Sequence, residues 1–241
     1  MDLKEEDILG DKIHDHWYYV AKGKAMRAFL GDIKVEEVLD VGAGSGIFSR
    51  QLLDHNIAQS AVCVDPNYEA ETEEDQNGKP IRFVKSIENT TQNLVLMMDV
   101  LEHVPDDTAL LKEYADTMPV GGKILITVPA FQLMWSGHDV FLEHYRRYTI
   151  EMMEKTIKNA GLQPIKSRYF FGSLFPVVAA IRLTKKILLE KGDIEAKSEL
   201  KLYPDWLNQS LISVHDLERL SLFKFNKLFG LSVFCLCEKE E

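Results

Sequence analysis

The chain has 241 residues, 46% hydrophobic and 27% charged, without repeats or low-complexity tracts, which fits one large soluble domain with a sizeable core. Its formal charge of -10 argues against general nucleic-acid binding, which needs a basic face to displace counterions from phosphates. The opening residues, MDLKEEDILG, are acidic and lack the basic-then-apolar layout of a secretory signal.

Taken in order, the pattern predicts an amphipathic helix over 11–30, then a short apolar run, VEEVLDVG at 35–42, which reads as a buried strand feeding a glycine turn. Residues 47–55 read as a helix, 60–65 as a second strand, 81–84 as a third after an acidic loop, and 94–99 as a fourth. A helical stretch runs from Pro105 to Met118, and GGKILITVP at 121–129 gives a fifth strand. Thr149 can cap a helix to about residue 160, with Gly161 at its end, followed by a strand-like segment over 162–171. A seventh strand is expected at 231–238. Residues 172–230 are too long for a hairpin and largely helical by pattern, so they form an insertion before that last strand. Alternating strands and helices predict an α/β fold: a doubly wound, mostly parallel, seven-stranded sheet with helices on both faces. The three cysteines, Cys63, Cys235 and Cys237, sit in apolar runs, as expected of reduced thiols in a cytoplasm-like compartment.

LDVGAGSGIF (39–48) lies between the first strand and first helix, where such sheets bind ligands. It fails the dinucleotide fingerprint G-x-G-x-x-G, because Ile47 or Ser49 stands where the third glycine belongs. The pattern Asp40-x-Gly42-x-Gly44-x-Gly46 instead resembles motif I of the class I S-adenosylmethionine-dependent methyltransferases, and MMDVLEHVPDD (97–107) is similar to the family's motif IV.

The resemblance implies a Rossmann-like fold whose last strand runs antiparallel, and S-adenosylmethionine as cofactor, leaving as S-adenosylhomocysteine. Gly42, Ala43, Gly44 and Gly46 would let backbone approach the amino-acid tail, with Asp40 favouring its ammonium group. Asp65, followed by Pro66, would accept the ribose hydroxyls, and Ser86 and Ile87 would border the adenine. Asp99, Val100, Leu101 and His103 complete the expected set, with Glu102 in the same motif. Small-molecule members carry an aromatic N-terminal helix that closes over the cofactor. Here HDHWYYVAKGKAM would supply Trp17, Tyr18 and Tyr19 as a lid, with Lys22 and Lys24 as a polar wall.

The segment WSGHDVFLEHYRRYT (135–149) leaves the fifth strand without helical or strand periodicity, so we assign it to substrate recognition. His138, beside Asp139, and His144 are candidate general bases for a hydroxyl acceptor. Arg146 and Arg147 could clamp an anionic group, with Trp135 and Tyr148 completing the contact, or else pair with Glu143, Glu151 or Glu154. A metal site from His138, Asp139, Glu143 and His144 lacks the His-Glu-x-x-His spacing, so no metal is expected.

From Glu143 to Lys191 there are ten Lys or Arg against four Glu, which points to an anionic partner or a solvated helix face. In SLFPVVAAIRLTKKILLEKG (173–192) only nine uncharged residues precede Arg182, too few to span a bilayer. Peripheral membrane contact, with Arg182, Lys185 and Lys186 near headgroups, a cover for the pocket, and a homodimer surface are the three roles open to it. The expected activity is methyl transfer to a small-molecule or lipid-linked acceptor, at oxygen because no Asn-Pro-Pro-Tyr type signature follows the fourth strand. A nicotinamide-dependent oxidoreductase and a non-catalytic cofactor-binding subunit are the alternatives.

Overall fold

The computed structural model describes residues 8–188 and 196–240. The end of the apolar stretch at 173–192 therefore lies partly outside the described residues. The strands are β1 (Val35–Val41), β2 (Ala58–Val64), β3 (Thr72–Gln76), β4 (Lys79–Val84), β5 (Leu94–Met98), β6 (Lys123–Pro129), β7 (Gln163–Phe170) and β8 (Ser232–Glu238). They form one sheet in the order β3-β4-β2-β1-β5-β6-β8-β7. β1 has a parallel partner on each side, β2 and β5. The chain thus moves outward through β2 and β4 and returns to the far side of β1, and at such a reversal an open α/β sheet leaves a ligand crevice beyond its carboxyl ends.

The α/β, mostly parallel sheet has its last strand antiparallel, since β8 runs against both β6 and β7. It gains an eighth strand where an acidic loop was expected. Thr72–Gln76 pairs antiparallel with β4 across the two-residue turn Asn77-Gly78, both residues at positive φ (54° and 82°). That is the left-handed pair a tight hairpin demands, and Asn-Gly supplies it cheaply.

The helices are α1 (Trp17–Leu30), α2 (Ile47–Asp54), α3 (Asp107–Thr117), α4 (Gly137–Phe141), α5 (Ile150–Asn159), α6 (Phe175–Leu188) and α7 (Asp205–Ser221). The single helix expected over 11–30 is broken: a 3-10 turn at Gly10–Asp15 ends at extended His16, whose Nδ1 accepts the Tyr18 N–H at 3.4 Å and starts α1. Thr149 caps α5 through Oγ1, 3.2 Å from the Met152 N–H.

Central strands are covered on both faces, so they read as continuous apolar runs. Along β5, Leu94, Leu96 and Met98 face the core under α1 and α2, while Val95 and Met97 face the core under α3 and α5. The three cysteines are buried in these cores, and burial pushes the Cys235 thiol up to about 12, which leaves it unreactive.

α6 and α7 lie within 172–230. α7 packs on α1: the Trp17 indole stacks on His215 at 5.5 Å, the Trp17 backbone N–H donates to Asn208 Oδ1 at 2.8 Å, and Lys24 pairs with Asp216 at 2.6 Å. Lys24, expected in a pocket wall, is thus a clasp between helices. Among the described residues no helix is long and apolar enough to cross a membrane.

Candidate active site

The glycine loop leaves β1 with Gly42, Gly44 and Gly46 all at positive φ, where a side chain is strained. A Cβ on Gly42 would lie 2.8 Å from Val100 Cγ2, and one on Gly46 would lie 2.9 Å from Phe83 Cε1. The loop is therefore wedged between the exits of β4 and β5 and has no room for any other residue at these two positions. The Gly42 N–H donates to the Val64 carbonyl at 2.7 Å, which ties the loop to β2.

Asp65 ends β2 beneath this loop. Its Oδ2 accepts the Gly44 N–H at 3.3 Å, and its Oδ1 accepts both the Asn67 backbone N–H at 2.9 Å and the Asn67 side-chain amide at 3.0 Å. A carboxylate has about four lone-pair positions, so Asp65 keeps about one, on Oδ2, for a ligand's hydroxyl. Asp40 is buried and accepts the Ser49 hydroxyl at 2.7 Å, so its charge acts on the loop from below. Ala43 is buried within the loop, while Pro66 and Ser86 are exposed at the exits of β2 and β4 and Ile87 packs on the core beside them. All stand on one sheet edge.

The strand exits carry backbone strain. Asp99 after β5, Phe131 after β6 and Phe171 after β7 are non-glycine residues at φ of 57°, 58° and 60°, a conformation that costs about 1–3 kcal/mol and gathers at functional sites. The Asp99 carboxylate is buried and receives Lys22 Nζ, the Tyr18 hydroxyl at 3.1 Å and the Thr127 hydroxyl at 3.0 Å. Lys22, expected in the polar wall, is fully buried as the counter-ion of Asp99. Tyr19 is buried under α1 against Phe48, and Trp17 is committed to His215 and Phe171. Leu101 is likewise a core residue, whereas Val100 lies against Gly42.

Residues 135–149 form a closed loop whose ends meet: the Tyr148 N–H donates to the Pro129 carbonyl at 2.9 Å, and the Phe131 N–H to the Tyr148 carbonyl at 2.8 Å. At its centre Asp139 is fully buried. It accepts the Ser136 N–H at 2.8 Å, His144 Nδ1 at 2.9 Å, and both prongs of Arg147 at 2.6 and 2.9 Å. Burial alone would raise its pKa, but the hydrogen bonds from His144 and Arg147 hold it well below the usual carboxylate range.

This geometry corrects several expectations about the loop. Arg147 has its remaining Nη1 on the Ala130 carbonyl at 3.3 Å, so it is an internal brace for Asp139 and offers no clamp. Tyr148 is buried, donating to Asp107 at 2.7 Å, and belongs to the framework as Asp139 does. Arg146 pairs with Asp107 at 3.0 Å, not with any of the three glutamates considered, and stays partly exposed. Trp135 is half-buried at the loop's start. His138 Nδ1 accepts the Glu199 N–H at 3.2 Å, and burial lowers its pKa to about 4, outweighing Glu199 and Asp139. His138 is thus a weak base facing residues 196–204, apart from His144.

His144 points elsewhere. Its ring meets His103 edge-to-face with centroids 4.6 Å apart, and beside them lies Glu102, held by the 3-10 turn Leu101–His103. The Tyr145 N–H donates to the Glu102 carbonyl at 2.7 Å and locks the two segments together. Glu102 is fully buried, and burial together with the Asp99 charge raises its pKa well above the usual range. Burial, then His144, lowers His103 to about 4. Sequence reasoning gave Glu102 no role of its own, and Glu-His after the fourth strand was the signal available.

The sequence model of the family described as a methyltransferase domain matches residues 14–167. A ubiquinone biosynthesis O-methyltransferase of Xanthomonas euvesicatoria pv. vesicatoria is 29% identical over 149 residues, covering 52% of this chain and 62% of that protein. An uncharacterised methyltransferase of Mycobacterium bovis is 27% identical over 149 residues, covering 59% and 58%. The chain thus matches less than two thirds of these relatives' lengths. Among solved structures, an S-adenosylmethionine-dependent methyltransferase from Archaeoglobus fulgidus superposes with a TM-score of 0.54 at 18% identity, covering 98% of each chain. A Haemonchus contortus phosphoethanolamine N-methyltransferase in complex with S-adenosyl-L-methionine gives 0.55 at 18% identity, covering 91% of this chain and 52% of that one. At such identity the likeness is one of fold. Because the family match runs from ahead of α1 through β6 and into β7, carrying the glycine loop and the exits of β1 to β6, the chain belongs to the methyltransferase-domain family.

Proposed function

We propose that the chain methylates an oxygen of a small-molecule or lipid-linked acceptor. S-adenosylmethionine supplies the activated methyl group on its sulfonium. The glycine cradle gives backbone access for the amino-acid tail, with Asp40 beneath it, and Asp65 accepts a ribose hydroxyl at the position left open on Oδ2. Pro66, Ser86 and Ile87 border the adenine, and Val100 packs between the cradle and the Glu102–His103 turn. Asp99, held by Lys22 and Tyr18, closes the floor.

The observation that carries oxygen as the target is His144. Asp139 fixes its ring through Nδ1, and the opposite nitrogen faces Glu102 and His103, three residues past Val100. A hydroxyl set there meets groups able to favour loss of its proton, which transfer to oxygen requires. Ubiquinone biosynthesis O-methyltransferases among the relatives support the same class. Membership in a methyltransferase family speaks against the nicotinamide-dependent alternative.

The insertion acts as cover in this proposal. Arg182 of α6 donates to the Met134 carbonyl and pairs with Glu199, while the Lys197 N–H donates to the Gly137 carbonyl at 3.1 Å. These bonds seat Arg182, Lys197 and Glu199 against the start of the 135–149 loop and engage the Arg182 guanidinium within the protein. Incubating the protein with labelled methyl donor and with aqueous and lipid fractions of cell extract tests the proposal. An O-methylated product in either fraction supports it, and label found only on nitrogen or carbon overturns it.

A further inference from the structure

We propose that Glu102, His103 and His144 form a binding site for one divalent transition-metal ion of the zinc type. Their ligand atoms all lie within 4.8 Å of one another. Contraction of about 1 Å brings them to the ~2.0–2.2 Å bonds such an ion makes with imidazole and carboxylate. The unsatisfied atoms point to a missing partner. Glu102 is fully buried with neither Oε1 nor Oε2 hydrogen-bonded, and the Nε2 atoms of His103 and His144 are buried and equally unpartnered. A buried carboxylate left this way is costly, and a cation among the three groups partners one Glu102 oxygen and both imidazole nitrogens at once.

The surroundings are those of a ligand set. His144 gives its other nitrogen to Asp139, which Arg147 grips from behind, so the ring is aimed and its tautomer fixed with Nε2 toward the cluster. His103 is held through a hydrogen bond to the Leu142 backbone, again leaving Nε2 toward the cluster. Two imidazoles and one carboxylate suit zinc, iron or cobalt better than magnesium or calcium, which prefer oxygen donors. Three protein ligands leave one position of a tetrahedral ion open. In this fold that position serves the hydroxyl oxygen of the methyl acceptor. The inference rests on the proposed function only in naming a hydroxyl; the metal site itself stands on the donor geometry. His144 would then contribute as a ligand rather than as a base, and the ion's charge would favour release of the hydroxyl proton to solvent water.

The full chain, stripped with chelator, is titrated with zinc sulfate in a calorimeter and with cobalt chloride in a spectrophotometer. One equivalent per chain is expected, with the visible absorption of low-symmetry Co2+. Glu102→Gln and His144→Ala should abolish it, and Asp139→Asn should weaken it 10- to 100-fold. Glu102→Gln is isosteric and keeps the comparison if His144→Ala fails to fold. No uptake by the wild type, or unchanged uptake by Glu102→Gln, overturns the site. A chain that binds S-adenosylmethionine but no metal overturns this inference alone. A chain that takes up the metal but methylates no oxygen overturns the hydroxyl assignment alone.

Discussion

Asp139 and Arg147 meet as a buried two-pronged pair, Nε to Oδ1 at 2.6 Å and Nη2 to Oδ2 at 2.9 Å. The same carboxylate orients His144, so the pair sets the geometry of the site without facing it. Arg147→Met strands the Asp139 charge in the interior, and the expected loss is about 3–5 kcal/mol in urea denaturation. Arg147→Lys keeps the charge but not the fork and should fall between. A loss under about 1 kcal/mol for the methionine variant would show the pair to be dispensable.

Gly42 is constrained twice, by its φ of 64° and by Val100 at 2.8 Å from a built Cβ. Gly42→Ala should therefore reduce S-adenosylmethionine affinity at least tenfold by calorimetry, and adding Val100→Ala should restore part of it by removing the opposing methyls. Asp65→Ala, which leaves the cradle's space unchanged, should weaken binding by about 1–3 kcal/mol. Wild-type affinity in all three variants would separate the cofactor from this loop.

Glu218 on α7 accepts the Gly172 N–H at 2.7 Å, the Ser173 N–H at 3.0 Å and His215 Nδ1 at 3.2 Å. Burial opposes its charge, but the hydrogen bonds from His215, Ser173 and Gly172 win and lower its pKa. Folded Glu218 thus holds a proton less tightly than the unfolded chain, where a glutamate titrates near about 4.3. Its contribution is complete above that value and is lost progressively as pH falls below it and through the lower pKa of the folded state. In acid titrations followed by circular dichroism, wild type should lose stability between about pH 5 and 3 more steeply than Glu218→Gln. Parallel curves would exclude the carboxylate.

Arg146 is the one arginine of the pair still partly open to solvent. If it meets an anionic acceptor, Arg146→Ala should raise the acceptor's KM with kcat nearly unchanged. Losing its pairing with Asp107 should cost under about 1 kcal/mol of stability. A fall in kcat without a change in KM would place it elsewhere in the mechanism.

What was legible in the sequence was local. The strands announce themselves through apolar runs, and the glycine loop through three glycines at alternate positions, because each depends on neighbours in the chain. The hairpin at Thr72–Gln76 hid because its residues are polar on both faces, although Asn77-Gly78 marked its turn. Lys22 on Asp99 and His144 on His103 join segments 77 and 41 residues apart, and nothing in either segment names the other. The 135–149 loop stood out by composition as more than a plain connector. Which of its side chains turn inward was set by Asp139, a single carboxylate that gathers Ser136, His144 and Arg147.

The clasp of α1 by α7 bears on synthesis. Trp17 and Asn208 are 191 residues apart in the chain. At 5–20 residues per second, a ribosome delivers Asn208 roughly 10–40 s after Trp17. Throughout that interval α1 has no α7 to lie under, while the glycine loop and the strands that frame it are already emerging. The nascent chain therefore passes through a stage with an open-sided sheet and an uncovered aromatic helix, a state suited to early capture by a chaperone or by the cofactor itself.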